Sequence, residues 1–109
     1  MANIIEISDQ EFQSTIARGT TIVDFWATWC GPCRTQSTIF DSMKGDPDFE
    51  NLTVAKINIE ENSEYVELMG ITSIPTMLIC RDGKVLKKIV GTADKSELKN
   101  ILDKHTSVG

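Results

Sequence analysis

Hydrophobic positions along the chain fall into short clusters separated by polar or glycine-containing breaks, and their spacing changes character from one cluster to the next. Asn3–Ile7 carries Ile4, Ile5 and Ile7 and predicts a short strand that Ser8 ends. Ser8 and Glu11 stand at capping-box spacing, which predicts a helix running to about Ala17 on Phe12 and Ile16 and closed by Gly19. Thr21–Ala27 is apolar except at Asp24 and rich in branched and aromatic side chains, as in a strand covered on both faces. A second helix is predicted to begin within Cys30-Gly31-Pro32-Cys33, where proline suits a first turn because its missing N–H is not needed there. It extends to about Met43. Thr35, Gln36, Ser37 and Thr38 are mediocre helix formers, so Ile39, Phe40 and Met43 are expected to hold it by packing inward.

Lys44–Glu50, with Gly45 and Pro47, reads as a loop. Leu52–Ile59 predicts a third strand, and Ser63–Met69 a short helix stopped by Gly70 in an αL conformation. Met77–Cys80 and Val85–Val90 flank Arg81-Asp82-Gly83-Lys84, whose Asp-Gly centre is a strong hairpin signal. Asp94 and Glu97 repeat the capping-box spacing, and Leu98, Ile101 and Leu102 form the apolar face of a closing helix. The order is βαβαβαββα. Strands joined through helices must run parallel and the final hairpin antiparallel, which predicts an α/β fold with helices on both faces of a mixed sheet.

Length and charge narrow the class. A chain of 109 residues with 40% hydrophobic content suits one cored domain over residues 1–109, and no repeat or linker argues for a second. The formal net charge of -5 argues against a surface built to neutralise phosphates, so nucleic acid is not an expected partner. The amino terminus has no cationic start followed by a sustained apolar stretch, and no run approaches the roughly 18 residues of a membrane helix, so the expected compartment is the cytoplasm, with no membrane contact.

Of three cysteines, two stand as Cys30-x-x-Cys33. On a helix start that spacing puts both sulfurs on one face, close enough to form a disulfide. Cys30, at the amino end, meets unpaired backbone N–H groups and the positive end of the macrodipole, which favour a thiolate by roughly 0.3–2 kcal/mol. The thiolate is the species that attacks a disulfide sulfur. Cys33, one turn deeper, is expected to be the less exposed, resolving thiol. The competing reading is a zinc half-site, for which the chain offers as further Cys or His ligands only Cys80, in mid-strand, and His105, near the end. No metal or other cofactor is expected.

A carboxylate amid Ile22-Val23-Asp24-Phe25-Trp26 is expected to be buried with a raised pKa, placed to take the proton from Cys33 as resolution proceeds. The bland alternative is a polar residue facing an edge. Lys56 is equally out of place in its strand; it either pairs with Asp24 and tunes that relay or snorkels to the surface.

The stretch Val23-Asp-Phe-Trp-Ala-Thr-Trp-Cys-Gly-Pro-Cys33 resembles the active-site segment of the thioredoxin family, and the likeness continues through Val54–Ile59, Gly70–Thr76 and Val90-Gly91, nearly the whole chain. The resemblance implies a five-stranded mixed sheet with four helices and a protein-disulfide reductase. It makes Cys30 the attacking and Cys33 the resolving thiol, Asp24 the buried acid/base and Lys56 its neighbour. Pro75 matches the family's cis-proline, where spacing alone would give a cis bond only about 5–6% of the time. That bond would present the Ile74 backbone to an extended substrate strand and keep metal from the thiols. Trp29, Gly31, Pro32, Ile74 and Gly91, with Pro75, match the substrate-docking surface, and Gly31 and Pro32 between the cysteines also resemble the reducing members, as redox-tuning residues. For Trp29 the alternative is core packing; Trp26 is assigned mainly to structure.

The implied partners are a thioredoxin reductase as electron donor and disulfide-containing target proteins, met by a monomer. Thr38 stands where the helix usually has a proline, which puts the expected kink in doubt. Arg34 replaces a common lysine and preserves its charge. Thr28 stands where an acidic or proline residue often precedes the tryptophan, predicting a less negative rim. Cys80 is taken as a small buried hydrophobe, with a regulatory thiol as alternative. Two rival functions remain open: a thiol oxidant or isomerase, and a redox-independent structural subunit of another enzyme.

Overall fold

The computed structural model describes residues 1–106. Five strands, β1 (Asn3–Ile7), β2 (Thr20–Trp26), β3 (Thr53–Asn58), β4 (Thr76–Arg81) and β5 (Lys84–Val90), form one sheet in the order β1-β3-β2-β4-β5. Four helices accompany them: α1 (Phe12–Ile16), α2 (Gly31–Met43), α3 (Glu64–Leu68) and α4 (Lys95–Thr106). β1, β3 and β2 run parallel, and β4 and β5 antiparallel, as the connections require. Among the described residues no helix is long and apolar enough to cross a membrane.

Strand alternation sorts the core. Ile22, Val54, Met77 and Ile79 face one way and pack on Phe40 and Met43 of α2 and on Leu98 and Leu102 of α4. Val23, Phe25, Ala55, Ile57, Leu78 and Cys80 face the other way and pack on Phe12, Ile16 and Tyr65. The Phe12 and Tyr65 rings stack with centroids 3.8 Å apart, joining α1 to α3.

The local signals resolve as follows. Ser8 N–H donates to Glu11 at 3.0 Å in the expected capping box, and the helix it starts opens with a 3₁₀ turn at Asp9–Glu11 before continuing as α1. Asp9 is used elsewhere, its carboxylate accepting the backbone N–H groups of Glu64 and Tyr65 and so binding that turn to α3. The second capping box forms reciprocally between Asp94 and Glu97. The hairpin turns on Asp82 and Gly83, both at positive φ, the backbone that an Asp-Gly pair adopts readily. Lys44–Glu50 is not all loop: Asp46 caps a 3₁₀ turn at Pro47–Phe49 that drops Phe49 into the core. α2 is uninterrupted, and the Thr38 hydroxyl donates to the Arg34 carbonyl at 3.2 Å.

Candidate active site

β2 ends at Trp26, and the turn that follows delivers the two cysteines to the start of α2. Cys30 is the N-cap residue, in extended backbone, and Pro32 occupies the first turn. Cys30 and Cys33 are joined by a disulfide, with Cα atoms 5.3 Å apart. The Cys30 Sγ accepts the Cys33 N–H at 3.2 Å, so one of the helix's otherwise unpaired donors is already directed at the sulfur on which negative charge would develop. Whole-residue exposure does not separate the two cysteines, at 4% for Cys30 and 3% for Cys33. What distinguishes them is position: only Cys30 stands outside the helix, facing its amino end.

Trp29 is 67% exposed, which rules out the core-packing alternative. The turn beneath it is held from both sides through Thr28. The Glu60 carboxylate accepts the Thr28 N–H at 2.7 Å and its hydroxyl at 2.8 Å, while Arg34 donates to the Thr28 carbonyl at 3.2 Å. These bonds hold the Glu60 carboxyl below its usual range. Glu60, just past the end of β3, thus sets one carboxylate against this turn.

Ile74–Pro75 is cis. The Pro75 carbonyl accepts the Gly91 N–H at 2.8 Å, which joins the loop before β4 to the loop after β5. Gly91 sits at φ +93°, a conformation that favours glycine. Trp29 and Ile74 line a groove of about 270 Å³ together with Ile59, Val66, Ile71, Thr72 and Ser73. The larger concavity, about 650 Å³ beside Glu6, Trp26, Asn58 and Glu61, includes neither cysteine.

Asp24 is wholly buried in a central strand, so the edge-facing alternative fails. It lies on the face covered by α2, and neither carboxylate oxygen has a hydrogen-bond partner. Burial pushes its pKa up to about 7; Lys56 opposes that rise and Glu6 adds to it. Register explains both influences, because Glu6, Lys56 and Asp24 stand side by side across β1, β3 and β2. Lys56 influences Asp24 through its charge without closing an ion pair on it. Its ammonium donates to the Ser37 hydroxyl at 2.8 Å and lies 5.1 Å from the centroid of the Trp26 ring, so it is turned toward α2 instead of pairing with Asp24 or reaching open water.

Cys80 is wholly buried on the opposite sheet face, and burial pushes its thiol up to about 12. His105, read from sequence as a tail residue, lies in the last turn of α4. Ile74 packs against Cys30 and Cys33, shares a groove with Trp29 and leads into Pro75, which is bonded to Gly91; sequence reasoning did not foresee Glu60 beneath this turn or the buried amide of Gln36 in α2. Gln36 was signalled by its place on the stripe Cys33, Gln36, Phe40, Met43, where an amide is unexpected. Glu60 carried no such sign.

Comparison with known proteins agrees with the geometry. The thioredoxin family model matches residues 3–104. Curated relatives include thioredoxins of Chlamydia pneumoniae, 41% identical over 91% of this chain and 95% of the relative, and of Listeria monocytogenes, 38% identical over 92% and 96%. Among solved structures, a Halobacterium salinarum thioredoxin variant superposes with a TM-score of 0.85 at 26% identity, covering 98% of this chain and 94% of the other. The Malassezia sympodialis thioredoxin superposes with 0.82 at 28%, covering 98% and 96%. With the family matched over almost its whole length and the cysteine pair bonded at a helix amino end, the chain belongs to the thioredoxin family of protein-disulfide reductases.

Proposed function

We propose that this protein reduces disulfides of other proteins in two exchanges at Cys30 and Cys33, with Asp24 accepting the proton that Cys33 gives up in the second. In the reduced protein the Cys30 thiolate attacks one sulfur of a substrate disulfide. A bond forms between Cys30 and that sulfur, the substrate S–S bond breaks, and the other substrate sulfur leaves as a thiolate. The Cys33 thiol then loses its proton to the Asp24 carboxylate, directly or through a water, and attacks the Cys30 sulfur. The mixed disulfide breaks, the second substrate thiolate is released, and Cys30–Cys33 is left oxidised, two electrons having passed to the substrate. A thioredoxin reductase is the proposed donor for the return step.

The observation that carries this reading is the bonded pair at the amino end of α2, with Cys33 N–H directed at the Cys30 sulfur. Asp24 supports the proton step because it is buried, unpartnered and poised near neutral pH. Lys56 serves as a modulator, and its bond to Ser37, one turn beyond Cys33, shows that α2 covers this charged row. Exposed Trp29, the groove beside it, Ile74, Pro75 and Gly91 make the docking face for an extended target chain. Gly31 and Pro32 keep the couple reducing. The unit acts as a single domain over residues 1–109, as a monomer, in the cytoplasm.

The test is insulin reduction by dithiothreitol with catalytic protein, combined with a redox titration of the cysteine couple. Accelerated reduction and a potential in the range of a reducing cytosol are expected. No acceleration would refute the reductase reading, and a markedly more oxidising couple would favour an oxidant or isomerase.

A further inference from the structure

Gln36 is wholly enclosed in the second turn of α2, on the stripe it shares with Cys33, Phe40 and Met43. Both ends of its amide bind one residue of a distant loop. Nε2 donates to the Ala93 carbonyl at 3.1 Å, and Oε1 accepts the Ala93 N–H at 2.8 Å. A side chain thereby satisfies a buried peptide that has no strand beside it, the pairing that a backbone neighbour would normally supply. A purely apolar side chain would fill the same space, so packing alone does not call for glutamine at this position. The Ala93 backbone does, since without it a buried donor and a buried acceptor are stranded.

The consequence lies at the surface. Ala93 is two residues from Gly91, and Gly91 N–H is bonded to the Pro75 carbonyl. The loop after β5 is thus anchored on one side to the loop that carries Ile74 and on the other to the helix that carries Cys33. We propose that Gln36 is a positioning residue for protein substrates: it holds the Gly91–Ala93 loop in a set frame relative to the Cys30–Cys33 sulfurs. This rests on the docking face proposed above. Gln36 touches neither sulfur nor substrate, so releasing the loop should impair docking of a polypeptide and leave thiol chemistry intact.

The experiment compares single-turnover oxidation of the reduced wild type, Gln36→Met and Trp29→Ala by insulin and by hydroxyethyl disulfide, which is too small to use the face. Gln36→Met is expected to slow the insulin reaction by on the order of tenfold, the scale of a small misplacement of a docked substrate, and to leave the small-disulfide rate unchanged. Equal slowing of both reactions would overturn the proposal in favour of a general packing role. If Trp29→Ala slows insulin oxidation and Gln36→Met does not, the proposal fails while the docking face stands; if neither variant does, the face itself is misassigned. Should Gln36→Met not fold, Gln36→Asn, a neutral amide one methylene shorter and so drawn back from Ala93, carries the same comparison with the same outcomes.

Discussion

The two faces of the sheet each bury one ionisable group on a central strand, and the same physics leads to opposite chemistry. Under α1 and α3 the group is the Cys80 thiol, pushed up to about 12 by burial, so that it stays protonated and inert at any physiological pH. Under α2 and α4 it is the Asp24 carboxylate, pushed up to about 7 by the same loss of solvent. A carboxylic acid starts near pH 4 and a thiol near 8.5, so one desolvation penalty silences the thiol and brings the acid into the range where it can exchange a proton. The face that carries α2 therefore holds a carboxylate able to exchange a proton near neutral pH, and its burial without a partner comes at a cost in stability.

Four experiments test that contrast. The largest effect is expected at sulfur: Cys30→Ser and Cys33→Ser should each reduce insulin turnover to the uncatalysed level, whereas Cys80→Ser should leave it unchanged. Cys33→Ser should in addition accumulate a mixed disulfide with the target, visible by mass spectrometry. If Cys80→Ser abolished turnover, the division between faces would be wrong.

Next is the proton step. Asp24→Asn should slow resolution at pH 7 by roughly 10²–10⁴-fold, the usual range for losing a general base, while the first attack by Cys30 stays close to wild type in stopped-flow traces. Equal slowing of both steps would remove Asp24 from this role.

The third effect is on stability, and its sign follows from the raised pKa. Below about pH 4 the carboxyl is protonated in both folded and unfolded chains, so burial carries no charge penalty. As pH rises from about 4 to 7 the unfolded chain ionises first, and folding stability declines by on the order of 4 kcal/mol before levelling off. Urea unfolding across that window should show the decline in wild type and its absence in Asp24→Asn. A wild-type curve that rises or stays flat would show that Asp24 ionises freely.

The smallest effect is expected at Lys56, whose charge opposes the rise at Asp24. Lys56→Met should move the midpoint of the Asp24-dependent resolution step to higher pH. A midpoint that stays in place or falls would mean that the Lys56 charge does not act on Asp24.

Much of this molecule was legible from local pattern. Apolar clustering and helical spacing located the five strands and four α-helices, because burying a face imposes a period of two or 3.6, while the 3₁₀ turn at Pro47–Phe49 was read as loop. The Asp82-Gly83 turn and the Asp94/Glu97 cap were readable because each is complete within a few residues. The cysteine pair was readable for the same reason. The first helix begins and ends where its capping box and apolar spacing place it, but the bonds of Asp9 to backbone 55 and 56 residues away carried no local sign. The hydrogen-bond partner of Lys56 was not readable because the choice among Asp24, water and Ser37 depends on where α2 lies over the sheet.

Taken by itself, the sequence determined the order of elements, the identity of the reactive pair and the presence of an anomalous carboxylate, since these follow from residue type and short-range spacing. Only the tertiary structure decided what each polar side chain meets: Asp24 with no partner, Glu60 on Thr28, Gln36 on Ala93. A hydrogen bond is satisfied within about 3 Å, and nothing in a one-dimensional pattern says which of many donors the fold will bring that close.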